Sequence, residues 1–206
     1  RLAPAQLQLG AALQEAGDAE GAVDALEAAV KIDPSSADAR NSLGLALYQQ
    51  GNFDEAMLIY RRVAQVSPDD PSPLEKLAQL LERIGHLKEA IEAASRAADL
   101  FLNQRDIDKA IENWVRVTML DPDNVMAHSR LALAHERLGH KTQAATEYIA
   151  VASLVQRTGN TQKAAEFVNK ALQLVPGSEE AKQALSLLKA GQLLQKPLRP
   201  KGGTGP

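Results

Sequence analysis

Apolar residues in this chain recur three and four positions apart, and turn-forming residues interrupt them at nearly even intervals. Residues 3–36 carry Leu9, Leu13, a break at Gly17-Asp18, then Ala22, Leu26 and Ala29, and a stop at Asp33-Pro34. Residues 37–70 repeat the series 34 positions later: Leu43, Leu47, Gly51-Asn52, Ala56, Tyr60, Val63 and Ser67-Pro68. Each copy predicts two antiparallel helices joined by a tight turn. No window shows the alternation of a half-buried strand, so no strand is expected.

The landmarks have separate physical roles. Gly10 and Gly44 fall inside helices, where glycine costs about 1 kcal/mol relative to alanine. A glycine held there in phase predicts a close approach by a neighbouring helix. Gly17 and Gly51 close the first helix of each pair, and Asp18 and Asn52 are placed to cap the second. Pro34 and Pro68 mark the exits, and Ala22 and Ala56 are small where helices cross.

The period then changes. Residues 71 onward begin a normal copy with Leu74, Leu77-Ala78, Leu81, Gly85 and Ala90, but no proline stands at 102. The chain runs through Phe101-Leu102 to a turn at Gln104-Arg105-Asp106 and a third helix with Ala110, Trp114, Val117 and Pro122. The next copy does the same, with a turn at Gly159-Asn160 and then Ala164, Val168, Ala171 and Pro176. Pro68, Pro122 and Pro176 are 54 apart, and residues 71–124 laid on 125–178 share 14 identities, including the Glu-Arg-x-Gly-His runs at 82–86 and 136–140. A three-helix unit has been duplicated. Its middle helix, about 87–103 and 141–157, is expected to be the second helix of one pair and the first of the next. With a last amphipathic helix over 178–194, the expected total is about eleven antiparallel helices in one array over 3–194. Residues 195–206, rich in Pro, Gly and positive charge, are expected to be a flexible tail or linker.

Composition agrees with helices. Apolar residues make up 45% of the chain but aromatics only 3%, a core of alanine and leucine suited to close helix packing rather than to a sandwich. Net charge is −3, with no basic face to hold nucleic acid. The longest apolar run, 149–155, is far short of a membrane span. There is no cysteine, which removes disulfides and thiolate metal sites and fits a cytoplasmic protein. Arg1 is not an initiator methionine, so the chain is expected to be a fragment or a processed product.

Little in the chain points to catalysis. His128 and His135 stand seven apart, about 10 Å along a helix, whereas chelating pairs usually stand four apart. They read as packing residues, and His86 and His140 as exposed turn residues. Trp114 reads as an anchor for its helix. No phosphate loop, nucleophile elbow or zinc motif is present. No metal, cofactor or enzymatic activity is expected.

The 34-residue series resembles the tetratricopeptide repeat, whose motif is W-x2-L-G-x2-Y, then A-x3-F, then P. The small and turn positions match, while the aromatic slots hold Gln6 and Leu13, then Arg40 and Leu47. The resemblance implies an all-α, right-handed α-α superhelix, a solenoid whose first helices line a concave groove. It also implies a non-catalytic scaffold for protein–protein interaction, binding a peptide or protein segment. The inward positions include Asn41, Leu45 and Tyr48 in the second copy, Lys76, Gln79 and Arg83 in the third, and Arg130, Leu133 and Arg137 in the fourth. If the doubled helices also face inward, Arg96 and Arg157 join them. These arginines point to an acidic or C-terminal segment as partner, since the guanidinium fork grips a carboxylate bidentately. The family's clamp for chaperone tails is disfavoured, because its slots hold Leu7, Ala11, Ser42 and Ser72 and only Lys76 fits. Self-assembly into a homo-oligomer, or service as the adaptor region of a larger enzyme or sensor, are the alternatives.

Overall fold

The computed structural model describes residues 2–196, and every regular element among them is helical. Eleven helices follow one another: α1 (Leu2–Ala16), α2 (Ala19–Ile32), α3 (Ala37–Gln50), α4 (Phe53–Val66), α5 (Ser72–Arg83), α6 (Leu87–Asn103), α7 (Ile107–Leu120), α8 (Val125–Arg137), α9 (Lys141–Arg157), α10 (Thr161–Leu174) and α11 (Glu179–Lys189). The described residues are all-α, consecutive helices joined by short turns. The long helices expected near 87–103 and 141–157 are α6 and α9.

Local chemistry sets the starts and stops. Side-chain oxygens of Asp18, Ser36, Asp106, Asn124, Asn160 and Ser178 each accept from a backbone N–H three residues on, opening α2, α3, α7, α8, α10 and α11. Asn52 differs from expectation, since its side chain makes no capping hydrogen bond at α4. Helices α2, α4, α7 and α10 end two residues before Pro34, Pro68, Pro122 and Pro176.

The chain forms two compact units, one up to Leu100 and the other from Phe101 on, so that the division falls inside α6. The sequence reading expects one continuous array; in stacked helices each element touches only its neighbours, so few contacts hold distant parts together. In the first unit α1 packs on α2, α2 on α3, α3 on α4 and α4 on α5. In the second, α8 packs on α7 and α9, and α10 on α9 and α11. Within that unit α9 thus serves two partners, α8 and α10.

The close approaches expected at the helical glycines are present. A Cβ built on Gly10 would lie 2.5 Å from Leu26 Cγ, and one on Gly44 would lie 2.8 Å from Tyr60 Cε1. Leu26 and Tyr60 occupy the same repeat position, 34 apart, and both are fully buried. In the first two pairs the second helix thus drives a large buried side chain against bare backbone on the first.

The C-terminal end departs from expectation. α11 stops at Lys189, not at 194. Gly191 takes φ 71°, its N–H bonds the Leu188 carbonyl, and the Gln192 N–H bonds the Leu187 carbonyl at 2.9 Å. That is a glycine-terminated helix end, and it turns the chain back on itself. Leu194 is buried in consequence. Residues 197–206, most of the tail expected from 195 on, lie outside the described residues.

Gly44→Ala gains helix propensity but forces a methyl into a buried ring, so urea denaturation should show a net loss of about 1–2 kcal/mol. Trp114 is buried on α7, and Trp114→Ala should cost about 3–5 kcal/mol in the same assay. Arg105 sits in the left-handed region at φ 65°, where its counterpart 54 residues on is Gly159 at φ 89°. Arg105→Gly should therefore stabilise the chain by about 0.5–1 kcal/mol, left-handed strain outweighing the entropy glycine adds to the unfolded state.

Candidate interaction site

In the first unit, successive first helices meet side chain to side chain. Gln14 Nε2 on α1 donates to Gln49 Oε1 on α3 at 3.0 Å. Arg83 Nη1 on α5 donates to the Tyr48 hydroxyl on α3 at 3.0 Å. Both pairs are 35 apart, so the twelfth position of one repeat touches the thirteenth of the next. The Arg83 guanidinium also lies 5.1 Å from the Tyr48 ring centre and 5.2 Å from that of Phe53, and the two rings are 5.8 Å apart. Two aromatic faces thus hold the cation in place while it remains exposed.

Among the sequence-predicted residues, the structure joins Tyr48 and Arg83. Asn41 is half-buried on α3, and its Oδ1 is buried with no hydrogen-bond partner. Leu45 is 36% exposed. On α5, Lys76 is exposed and Gln79 half-buried. In the second unit, Arg130 is half-buried on α8, while Leu133 and Arg137 are exposed. Arg96 lines a cleft of about 610 Å3 with Arg61, Glu89 and Glu92, and Arg157 donates to the Leu194 carbonyl at 2.7 Å.

The second unit builds a different set of contacts. Glu136 accepts from the Tyr148 hydroxyl at 2.6 Å and from Lys170 at 3.0 Å, and Lys170 Nζ lies 5.0 Å from the Tyr148 ring centre. Tyr148 stacks on Phe167 with centroids 6.0 Å apart. The Tyr148 hydrogen bond, with Lys170 beside it, holds the Glu136 carboxyl below its usual pKa, and Glu136 in turn raises that of Lys170. The network ties α8, α9 and α10 together.

His128, on the packing face as expected, is buried. Its Nδ1 lies 2.6 Å from Glu147 Oε2 and its Nε2 lies 3.1 Å from the Pro122 carbonyl. Both partners are acceptors, and only the imidazolium donates from both nitrogens. Burial disfavours that charge, but the hydrogen bond and charge of Glu147, helped by Pro122 and Asp121, outweigh it and hold the pKa above the ordinary histidine value. His135, half-buried with its Nδ1 3.4 Å from that of His140, is shifted the other way, first by burial and then by His140. Among the described residues no group of histidines and carboxylates is placed to hold a metal ion, and no helix is long and apolar enough to cross a membrane.

Sequence reasoning missed Phe53, Lys170 and Glu147, each brought to its partner from another helix. A buried histidine at a packing position was the signal available for Glu147, since such a residue needs an acceptor nearby.

The family model described as "Tetratricopeptide repeat" matches residues 7–71 and 96–153, more than half of the chain. The chain belongs to the tetratricopeptide-repeat family. A second tetratricopeptide-repeat model matches residues 47–105. No curated protein matches the sequence. Solved structures of similar fold include the MamA protein, 20% identical with a TM-score of 0.45, covering 84% of this chain and 91% of its own. PilF of Pseudomonas aeruginosa is 18% identical with a TM-score of 0.44, covering 93% and 98%. The Cut9–Hcn1 hetero-tetramer of the APC/C is 15% identical with a TM-score of 0.46, and the match spans 90% of this chain but 42% of that one. As a tetratricopeptide-repeat protein, the chain is a protein–protein interaction scaffold.

The His128–Glu147 pair sets a pH dependence. The folded-state value lies above the unfolded one, so its contribution is complete below about pH 6.5 and is lost as pH rises through the folded value. The melting-temperature gap between the wild type and His128→Gln should therefore narrow between about pH 5.5 and about pH 8.5. A gap that widens with pH would contradict the assignment of the imidazolium.

Proposed function

We propose that this tetratricopeptide-repeat chain is a non-catalytic scaffold that binds an acidic or carboxylate-ended protein segment on the first-helix face of its first unit. The observation that carries this reading is the Tyr48–Phe53–Arg83 cluster. It presents an exposed guanidinium, already oriented by two rings and a hydroxyl, on the surface where α3 and α5 meet. A fork held in one orientation loses little entropy when it takes a carboxylate. Lys76, two turns earlier on α5 and about 10 Å away along its axis, adds a second exposed cation. Leu45, one turn from Tyr48 on α3, offers apolar area beside them.

Arg83 is also the last residue of α5, where a cation favours the helix dipole by about 0.3–1 kcal/mol. Binding and stability readouts separate the two roles. In fluorescence anisotropy with acidic and C-terminal peptide libraries, Arg83→Ala should weaken binding about 10- to 100-fold, the range of a hydrogen bond to a charged group. Arg83→Lys should restore part of it, and Arg62→Ala, an exposed arginine on α4, should leave it unchanged. Binding untouched by Arg83→Ala, with only the melting temperature lowered, would leave Arg83 a purely structural role.

A further inference from the structure

The C-terminal end of α9 grips the segment that follows α11 through its backbone. Gln156, 7% exposed, donates from Nε2 to the Gln192 carbonyl at 2.8 Å and accepts at Oε1 from the Leu194 N–H, also at 2.8 Å. A carboxamide offers a donor and an acceptor side by side, and here they meet the carbonyl of one residue and the N–H two residues on, as a neighbouring strand would. Arg157 Nη2 adds a third bond, to the Leu194 carbonyl at 2.7 Å. Two side chains of the segment are also engaged. Leu194 is 2% exposed, and Lys196 Nζ pairs with Asp123 at 2.6 Å.

We propose that this clamp is a second peptide-recognition site, separate from the first-helix face. It takes an extended segment with a leucine followed two residues later by a lysine, and residues 192–196 occupy it in cis until a partner segment of the same chemistry displaces them. The clamp reads backbone atoms, which any chain supplies, and selects by one apolar and one cationic side chain. This is the division of labour of strand-like peptide recognition. Outside Leu194, which packs into the core of the second unit, the cis occupant is lightly held. It has no regular secondary structure, Gln192, Leu193 and Gln195 are exposed, and both members of the Lys196–Asp123 pair are about half exposed. A cavity of about 320 Å3, walled by Ile149, Leu187, Leu194 and Lys196 among others, adjoins it and leaves room for an incoming side chain.

The probe is a fluorescein-labelled peptide of the chain's own residues 190–196, AGQLLQK, titrated into the full chain and into full-length Leu194→Asp. Leu194→Asp should expel the cis segment and bind the probe at least about tenfold more tightly than the wild type. Adding Gln156→Ala to it should abolish that binding. Absence of binding by a Leu194→Asp chain that keeps its helical circular dichroism, or binding indifferent to Gln156, would overturn the proposal. Amide exchange in the wild type needs no variant. The Leu194 N–H should exchange at least about tenfold faster than amides in the middle of α9, because the segment opens alone. Exchange of Leu194 only with global unfolding would overturn it as well.

Discussion

A helix can press its side chains onto another helix's backbone only where that backbone carries none. At Gly10 and Gly44 the space a Cβ would fill belongs to Leu26 and Tyr60. In these two pairs the second helix therefore seats deeply on the first, with Ala22 and Ala56 buried alongside. The contact occurs twice, 34 residues apart, and spaces the first two pairs alike. That spacing goes with which residues of neighbouring first helices touch. Gln14 reaches Gln49, and Tyr48 reaches Arg83, because the same geometry is applied twice.

That regularity lets one position carry different chemistry in different copies. The twelfth position is Tyr48 in the second copy, where it orients an exposed arginine of the next first helix, α5. In the fourth copy it is Glu136, which Tyr148 and Lys170 draw into a network within the second unit. Both side chains sit at the partly exposed end of a first helix, away from the buried small residue, Gly44 or Ala132, one turn earlier. His128 shows the opposite case. It occupies a slot the family fills with an aromatic packing residue, and burial there requires that both ring nitrogens be satisfied, which recruits Glu147 and the Pro122 carbonyl.

Much of the fold was legible in the sequence because its determinants are local and periodic. Helical spacing, capping side chains and the prolines beyond the helix ends act within a few residues, and eleven helices follow from them. The duplicated 54-residue unit was equally visible, since it rests on identity at a fixed offset. The stop at Gly191 was available by the same logic but was outweighed by the apolar spacing of residues 178–194. The glycine prevails because it enters the left-handed region that closes a helix, and the leucine that followed was buried another way.

The sequence by itself determined where the helices lie, which positions stay small, and that a repeat array results, because those depend on backbone conformation and on spacing along one chain. Only the tertiary structure decided which side chains meet across helices. The stacking of Arg83 on Tyr48 and Phe53, the pairing of buried His128 with Glu147, and the grip of Gln156 on Leu194 join residues far apart in the chain. The physical reason is range. A hydrogen bond or ring contact forms only within a few ångströms, and the distances between helices come from packing, which no single stretch of sequence encodes.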